Sequence, residues 1–300
     1  MTPRKSSSWI LNYIVLGIIW GSSFLFIMLA LQSFPPLGIA FLRTAIGAIV
    51  LLIILAVRKI QLPKTAKEWF LLWIGGLLMS GVPAVLFGFA ETRVSSALAS
   101  ILNASTPVFT VLAILIAFRA EKPKPQVLAG LGVGLIGVLV VLGVWNGFGE
   151  NDPIAVGALV LAVTFYGFGS PFVRKFIEPL KIPAETSVFG QVSTSALTLL
   201  PFYFAGPLTT GPITLPAVLG MLALGAVGTG IAYIIYYQLL ASVGSPIASA
   251  VTYLTPVVGV LLGVLLLNES IGWNEPVGAL VIILGAAVAQ GRFNRFLVKK

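Results

Sequence analysis

The chain of 300 residues is 58% hydrophobic and 9% charged, with a mean hydropathy of +1.06. Soluble domains usually carry about 25% charged residues, whereas the 83 residues from Thr186 to Asn268 (268 − 186 + 1) carry none. This composition excludes a soluble globular protein and indicates membrane spans of about 20 residues each. The chain also lacks Cys and His, which excludes disulfides and the usual thiolate and imidazole chemistry.

Proline, glycine and charged residues divide the apolar sequence into ten predicted helices. The first apolar run is too long for a typical signal peptide and lacks a convincing cleavage site, so we expect it to remain in the protein. The predicted spans are 10–31, 36–57, 69–90, 95–118, 127–145, 154–175, 184–205, 215–240, 246–267 and 276–291. The connections between them are short and leave no room for a separate soluble domain.

The basic residues are distributed unevenly over the predicted loops. If the N-terminus is cytoplasmic, sixteen of the eighteen Lys and Arg residues fall on the inner side of the membrane. The outer loops carry acidic residues instead, namely Glu150, Asp152, Glu269 and Glu275. By the positive-inside rule we expect a multi-pass protein of the bacterial inner (plasma) membrane with both termini cytoplasmic. The net charge of +9 is therefore attributed to orientation, and no nucleic-acid partner is expected.

A pattern in the second half of the chain repeats the first half. Thr106-Pro107-Val108 matches Thr255-Pro256-Val257 at an offset of 149 residues (256 − 107), and several glycines align with them. We predict two repeats, 1–148 and 149–300, of five helices each. Because five is odd, the second repeat must enter the membrane inverted. The predicted fold is an all-α integral membrane protein with two inverted five-helix repeats, an architecture of transporters whose substrate site lies between the repeats.

Small polar residues recur at spacings of four, three and four in the fourth and ninth spans, which places them on one helix face. They are Ser96, Ser100, Asn103 and Pro107 in the fourth span, and Ser245, Ser249, Thr252 and Pro256 in the ninth. The serines either line a cavity or allow close packing between helices, and the sequence does not decide between these two roles. Asn103 and Thr252 are better cavity candidates, and the two prolines predict bends in their helices because they remove a backbone donor.

Aromatic residues form a second set of cavity candidates. Trp20 and Tyr166 correspond between the first and sixth spans and lie near mid-depth, where an interfacial anchor is less expected. Tyr233 and Tyr237 lie four residues apart on the eighth span, and we include Ser23 among the cavity candidates. Aromatic walls with polar edges suit amino acids or organic cations. Lipid-facing packing is the alternative for these rings.

Arg43 is the only ionised group clearly inside a predicted span. A charge at that depth needs a partner, water or a route to the interface. Arg43 either binds a substrate carboxylate, or it snorkels outward and bonds helix ends near Glu91. All Asp and Glu residues lie at or beyond the predicted helix ends or in loops. Transport driven by the substrate gradient is therefore the simpler hypothesis, with proton-coupled antiport as the alternative.

Several segments of the sequence match a known family pattern in both halves. They are Trp20-Gly21, Phe41-Leu42-Arg43 and Thr106-Pro107-Val108 in the first half, and Leu224-Gly225, Gly228 to Tyr233, Ala248-Ser249, Thr255-Pro256-Val257, Asn268-Glu269 and Gly278 to Gly285 in the second. Over nearly its whole length the chain resembles the drug/metabolite transporter superfamily, specifically its ten-helix EamA-type branch. The resemblance implies a central cavity lined mainly by helices 1, 3, 4, 6, 8 and 9. Within that branch the chain is similar to YddG-type amino-acid exporters.

The expected function is export of small organic metabolites by alternating access and facilitated diffusion, with amino acids, aromatic ones included, as substrates. The alternatives are export of drugs, organic cations or nucleotide-linked metabolites, with or without proton coupling. An enzyme is not expected, because no catalytic group is predicted in the bilayer, and a channel fits the inverted repeats less well. We expect no cofactor and no metal. The expected partners are a small-molecule substrate and the lipid bilayer. The sequence is compatible with a monomer.

Overall fold

The computed structural model describes residues 8–118, 125–143, 145, 152–243 and 250–289. The regular structure of these residues is helical throughout, without a strand among them. The helices are α1 Ser8–Leu31, α2 Pro36–Arg58, α3 Ala66–Ala90, α4 Ser96–Phe118, α5 Pro125–Val141, α6 Pro153–Leu180, α7 Ala184–Ala205, α8 Leu215–Val243, α9 Leu254–Leu267 and α10 Asn274–Ala289. Within the described part, seven helices are long and apolar enough to span a membrane, and three shorter apolar segments lie in α5, α9 and α10. The predicted all-helical membrane fold is confirmed.

Side-chain caps fix where several of these helices begin. Thr65 accepts the Glu68 N–H, and Glu68 accepts the Thr65 N–H, so that α3 starts with a capping box. Asp152 accepts the N–H groups of Ile154 and Ala155 at the start of α6, at 2.7 and 3.2 Å. These caps satisfy backbone donors that a helix leaves unpaired in its first turn. Nine of the ten predicted spans agree with the helices to within five residues at each end, whereas α9 begins at Leu254, after a 3-10 turn, and not at 246 as predicted. Residues 246–249 of that predicted span lie outside the described part of the chain.

Helices α5 and α10, which the repeat alignment makes equivalent, pack against each other in opposite directions. A Cβ atom on Gly137 would lie 2.6 Å from the backbone nitrogen of Ile282, and one on Gly278 would lie 2.6 Å from that of Val141. Farther back along α5, the backbone nitrogen of Gly134 contacts the Cβ position of Gly285. The two helices are therefore antiparallel, as equivalent helices of inverted repeats must be.

The equivalent helices α2 and α7 also run antiparallel. Phe41 near the start of α2 stacks on Tyr203 near the end of α7, with ring centroids 4.5 Å apart. Leu55 near the end of α2 packs with Phe189 near the start of α7 in a buried apolar cluster. An offset of 148 relates the two contacts, since 41 corresponds to 189 and 55 to 203. The interface between the repeats is thus approximately twofold symmetric.

The same symmetry relates two tight helix crossings that each involve one glycine. A Cβ atom on Gly21 of α1 would lie 2.5 Å from the Val258 Cβ of α9. Its counterpart on Gly167 of α6 would lie 2.6 Å from the Phe109 carbonyl carbon of α4. Each glycine follows one of the two corresponding aromatic residues of the sequence pattern. Only a residue without a side chain permits these close approaches between repeats.

Four helices depart from regular α geometry at equivalent places in the two repeats. α3 contains a π-helical segment at Leu77–Gly81 and α8 contains one at Ala223–Ile231. α4 is interrupted after Asn103 and restarts at Thr106, with Pro107 as the second residue of the new helix. α9 follows a 3-10 turn at Ala250–Tyr253 and has Pro256 as its third residue. Such irregularities free backbone carbonyls and are frequent at functional sites.

Candidate transport site

An aromatic cluster joins the first and second repeats between α1 and α8. The Trp20 ring centroid lies 6.0 Å from that of Tyr233 and 5.3 Å from that of Tyr236. The Tyr233 hydroxyl donates a 2.9 Å hydrogen bond to the Met79 carbonyl in the π-helical segment of α3. In a regular α-helix the Met79 carbonyl would accept the N–H of residue 83, but residue 83 is a proline and has no backbone N–H. The carbonyl therefore lacks that partner and is open to the Tyr233 hydroxyl. Trp20 and Tyr233, both candidates from the sequence, therefore come together.

Tyr166 lies in a related position on the other side of the interface. Its ring stacks on Phe87 of α3, with centroids 6.1 Å apart, and Phe87 in turn meets the edge of Phe24 at 5.8 Å. Trp20 reaches α8 from α1, and Tyr166 reaches α3 from α6, which are equivalent pairs of helices. Phe24 and Phe87 are buried and Tyr166 is half-buried, so these rings form an apolar wall with one hydroxyl group, that of Tyr166.

Arg43 is held by the opposite repeat. Its Nε donates a 2.9 Å hydrogen bond to the Thr229 hydroxyl, and that hydroxyl donates a 3.1 Å bond to the Leu224 carbonyl in the π-helical segment of α8. Thr229 is fully buried and Arg43 is half-buried. The bond to Thr229 uses Nε, so both Nη groups remain outside this contact. Thr229 was not among the sequence candidates, because only the fold shows what faces Arg43.

Gln191 occupies the position equivalent to Arg43 at the offset of 148 (191 − 43). Its side chain is 5% exposed, and its Nε2 donates to the Ser187 hydroxyl at 3.1 Å and to the Tyr237 hydroxyl at 3.4 Å. A space of about 10 Å³, at the lower limit for one water molecule, is lined by Met79, Ser80, Val188, Gln191, Val192 and Tyr233. Gln191 was not among the candidates from the sequence. The predicted helix starts at 36 and 184 differ by 148 residues, and this offset applied to Arg43 gives position 191.

The structure places two candidate serines in helix contacts. Ser100 is fully buried, its hydroxyl donates to the Ala97 carbonyl at 2.8 Å, and its Cβ lies 2.5 Å from a Cβ position on Gly259 of α9. Ser23 donates to the Ile19 carbonyl at 3.1 Å, and its hydroxyl lies 3.1 Å from a Cβ position on Gly228 of α8. Both serines therefore pack between repeats and satisfy their hydroxyls within their own helix.

Asn103 and Thr252 lie at the equivalent irregular points of α4 and α9. Both are half-buried. The Asn103 carbonyl accepts the Thr106 hydroxyl at 2.7 Å, and the Thr252 carbonyl accepts the Thr255 hydroxyl at the same distance. The two sites thus have matching local geometry, whereas the remaining candidate, Ser249, lies outside the described residues.

One end of the molecule, which we call the Glu269 face, contains the connections 32–35, 91–95, 206–214 and 268–273. Here the Glu269 carboxylate accepts three hydrogen bonds at the start of α4. The donors are the Ser96 N–H at 2.8 Å, the Ser96 hydroxyl at 3.0 Å and the Ala97 N–H at 3.0 Å. A carboxylate is favourable at a helix N-terminus. This contact ties the second repeat to the first and closes α4 onto α9.

A second contact on the Glu269 face joins Arg93 to Asp152 at 3.0 Å. Desolvation is the largest single effect and raises the pKa of the Asp152 carboxyl, but the hydrogen bonds from Ala155, Ile154 and Arg93 and the charge of Arg93 together outweigh it, so that the pKa lies below the usual value. Asp152 therefore stays ionised, and its carboxylate caps α6 and binds Arg93 at the same time. The sequence analysis placed Asp152 in an outer loop but gave no indication that it pairs with Arg93.

The chain matches the model of the EamA-like transporter family twice, over residues 7–143 and 153–290. It is 27% identical over 285 residues to the uncharacterized inner membrane transporter YedA of Escherichia coli (strain K12), covering 93% of this chain and 89% of that protein. It is also 27% identical to a probable amino-acid metabolite efflux pump of Salmonella typhimurium, covering 89% and 90% of the two chains. A crystal structure with a TM-score of 0.68 and 22% identity covers 97% of this chain and 99% of its own, and it shows the same fold. Members of the matched family are transporters and not enzymes. With nearly every described helix inside one of the two matched ranges, this chain belongs to the EamA-like transporter family.

Proposed function

We propose that this membrane transporter exports amino acids, aromatic ones included, by facilitated diffusion through alternating access. The observation that carries the proposal is the interface at which Trp20 contacts Tyr233 and Arg43 bonds Thr229, each pair drawn from both repeats. A site built from two repeats changes its exposure when one repeat rocks against the other. The name of the Salmonella relative, a probable amino-acid metabolite efflux pump, supports this substrate class.

The residues at this interface suit the chemistry of an amino acid. A guanidinium held through Nε can still offer Nη donors, and such donors bind a carboxylate with good geometry. The rings of Trp20, Tyr166 and Tyr233 provide apolar area for a side chain and hydroxyl or indole groups for polar atoms. Organic cations are the second candidate, because aromatic faces attract them. The positive charge of Arg43 opposes that choice.

The test is counterflow of labelled amino acids into proteoliposomes that contain the purified protein and excess unlabelled compound. We expect saturable exchange that several amino acids compete for and that organic cations do not. Absence of exchange by a folded protein, together with exchange of organic cations, would move the assignment to the second candidate. Accumulation above the outside concentration under a pH gradient at controlled membrane potential would contradict facilitated diffusion.

Alanine variants locate the site within the same assay. Trp20→Ala, Asn103→Ala and Tyr166→Ala should each lower exchange by about tenfold, which corresponds to about 1.4 kcal/mol of lost interaction, with expression and thermal stability nearly unchanged. Phe202→Ala is the matched control, because Phe202 is an aromatic residue of α7 that is 59% exposed on the protein surface. Loss of folding in the three variants would instead assign those residues to helix packing.

A further inference from the structure

Glu91 is a buried carboxyl group that the proposed transport site does not use. It directly follows α3 and is 2% exposed. Among the residues that the structure describes, neither of its carboxyl oxygens has a hydrogen-bond partner. Glu269 on the same face accepts three hydrogen bonds, so the two acids have opposite environments. A buried carboxylate without partners is expensive, and such groups take up a proton instead.

Two charged groups from different parts of the fold act on Glu91, and two others on the same face pair with each other. Glu269, from the connection between α9 and α10, and Arg43, from α2, both act on Glu91 electrostatically, with opposite signs. The nearby charges Arg93 and Asp152 pair with each other at 3.0 Å, and the Arg93 guanidinium also lies 4.7 Å from the centroid of the Phe89 ring. Arg43 is engaged with Thr229 through Nε. The buried acid therefore faces one fixed anion and one cation that is already hydrogen-bonded.

We propose that Glu91 is a proton-binding site, and that the bound proton favours the conformation in which the Glu269 face is closed. Closure buries Glu91, and the neutral acid tolerates burial better than the carboxylate does. Opening of α4 away from α9 would admit water to Glu91 and allow it to ionise. The proton would come from and return to the compartment at the Glu269 face. Proton binding would then set the rate of export without driving accumulation, so this inference rests on the proposed alternating access but not on the substrate.

The direction of the pH effect follows from the pKa of Glu91. Burial raises the pKa of the Glu91 carboxyl well above its usual value, the Glu269 charge raises it further, and the Arg43 charge lowers it. Hydration in the open state removes the burial effect. The proton therefore stabilises closure fully below the open-state pKa, and this stabilisation is lost as the pH rises through the closed-state pKa. Each unit between the two pKa values changes the ratio of open to closed molecules by up to about tenfold.

The absence of native cysteine allows closure to be measured with a single reporter thiol. Ser100→Cys places the thiol at the contact with Gly259, directly behind the Glu269 contact, where it is buried when α4 and α9 are closed. Its rate of labelling by a membrane-impermeant thiol reagent reports opening. Thr92→Cys, at an exposed position on the same face, gives a reference labelling rate. Dividing by this rate corrects for the change of thiol ionisation with pH. The side of the membrane from which Thr92→Cys is labelled also identifies the compartment whose pH must be varied.

We expect the labelling rate of Ser100→Cys, relative to Thr92→Cys, to rise several-fold between about pH 5 and about pH 8 in that compartment. The pH of the opposite compartment should have no effect. Glu91→Gln, which resembles the protonated acid, should remove this dependence and keep labelling low, whereas the control Glu275→Gln should retain it. Glu269→Gln should raise labelling at every pH, because it weakens the contact with Ser96.

Three results would overturn the inference. They are a labelling ratio that does not change with pH in the parent protein, an unchanged pH dependence in Glu91→Gln, and control by the pH of the opposite compartment. None of these measurements requires a substrate. A negative counterflow result therefore leaves this test intact, and a negative labelling result leaves the assignment of the substrate site intact.

Discussion

At the scale of single residues, the contact between Arg43 and Thr229 shows how a charged side chain is retained inside an apolar helix. The 2.9 Å bond from Nε gives the guanidinium a partner in the other repeat, and the buried hydroxyl is itself satisfied by the Leu224 carbonyl. A buried charged donor without an acceptor would be destabilising. Arg43 thus has a structural partner that is neither the substrate carboxylate nor the helix ends near Glu91 considered from the sequence, and its Nη donors lie outside this bond.

Thr229→Val should test the structural half of that role. Valine keeps the methyl group that packs on Gly47 but removes the acceptor, so we expect the free energy of unfolding to fall by about 1–3 kcal/mol. Thermal unfolding in detergent would measure this change. Thr229→Ser is the matched control, since it retains the hydroxyl and loses only the methyl group. Equal stability of the Val variant and the parent protein would show that Arg43 does not depend on this bond.

At the scale of helices, close approach through glycine is what joins the two repeats. In α5, the Cβ position of Gly137 lies 2.6 Å from the backbone of Ile282, whereas nothing lies within 4 Å of the Cβ position of Gly132. Without a hydrophobic driving force between helices in lipid, close backbone packing supplies much of their association. The glycines of α5 therefore divide into those that the crossing with α10 requires and those that it does not.

Gly137→Ala and Gly132→Ala form a matched pair for that distinction. We expect Gly137→Ala to destabilise the protein by about 1–3 kcal/mol, because the clash is with backbone and cannot be relieved by a rotamer change. Gly132→Ala should be neutral or stabilise by up to about 1 kcal/mol, since it only restricts the unfolded chain. The melting temperatures of the two variants in one detergent would decide the matter. Equal effects would contradict the packing assigned to α5 and α10.

At the scale of the whole molecule, the distribution of charge predicts which end lies outside the cell. The connections of the Glu269 face carry few basic residues, whereas Lys59 and Lys64 between α2 and α3 and Lys181 between α6 and α7 lie at the opposite end. From the positive-inside rule we predict that the Glu269 face lies on the outer side of the membrane. The proposed proton site would then sense the pH outside the cell.

Single cysteines at two exposed positions test this orientation. In intact cells, Thr92→Cys on the Glu269 face should react with an impermeant thiol reagent, and Lys64→Cys at the opposite end should react only after the membrane is permeabilised. Both side chains are exposed, so access to the reagent is limited by the membrane alone. The reverse pattern would invert the topology and make the pH at Glu91 that of the cytoplasm.

The sequence by itself determined the membrane class, the helices and the repeats, because these depend on local hydropathy and on a pattern that recurs along one chain. It also proposed Trp20 and Tyr166 as cavity candidates from their positions near mid-span, and Tyr233 from its spacing with Tyr237. The distances between their rings came only with the fold.

Only the tertiary structure decided what faces the charged and polar residues. From sequence, Glu91 is one of several acids at helix ends, yet its neighbours in space bury it and leave it without a partner. Glu269 binds the start of α4 across 173 residues of sequence, and Arg43 bonds Thr229 across 186. Hydropathy and spacing describe which side of one helix is polar. They carry no information about which distant helix meets that side, and here those meetings determine which groups are buried and which are paired.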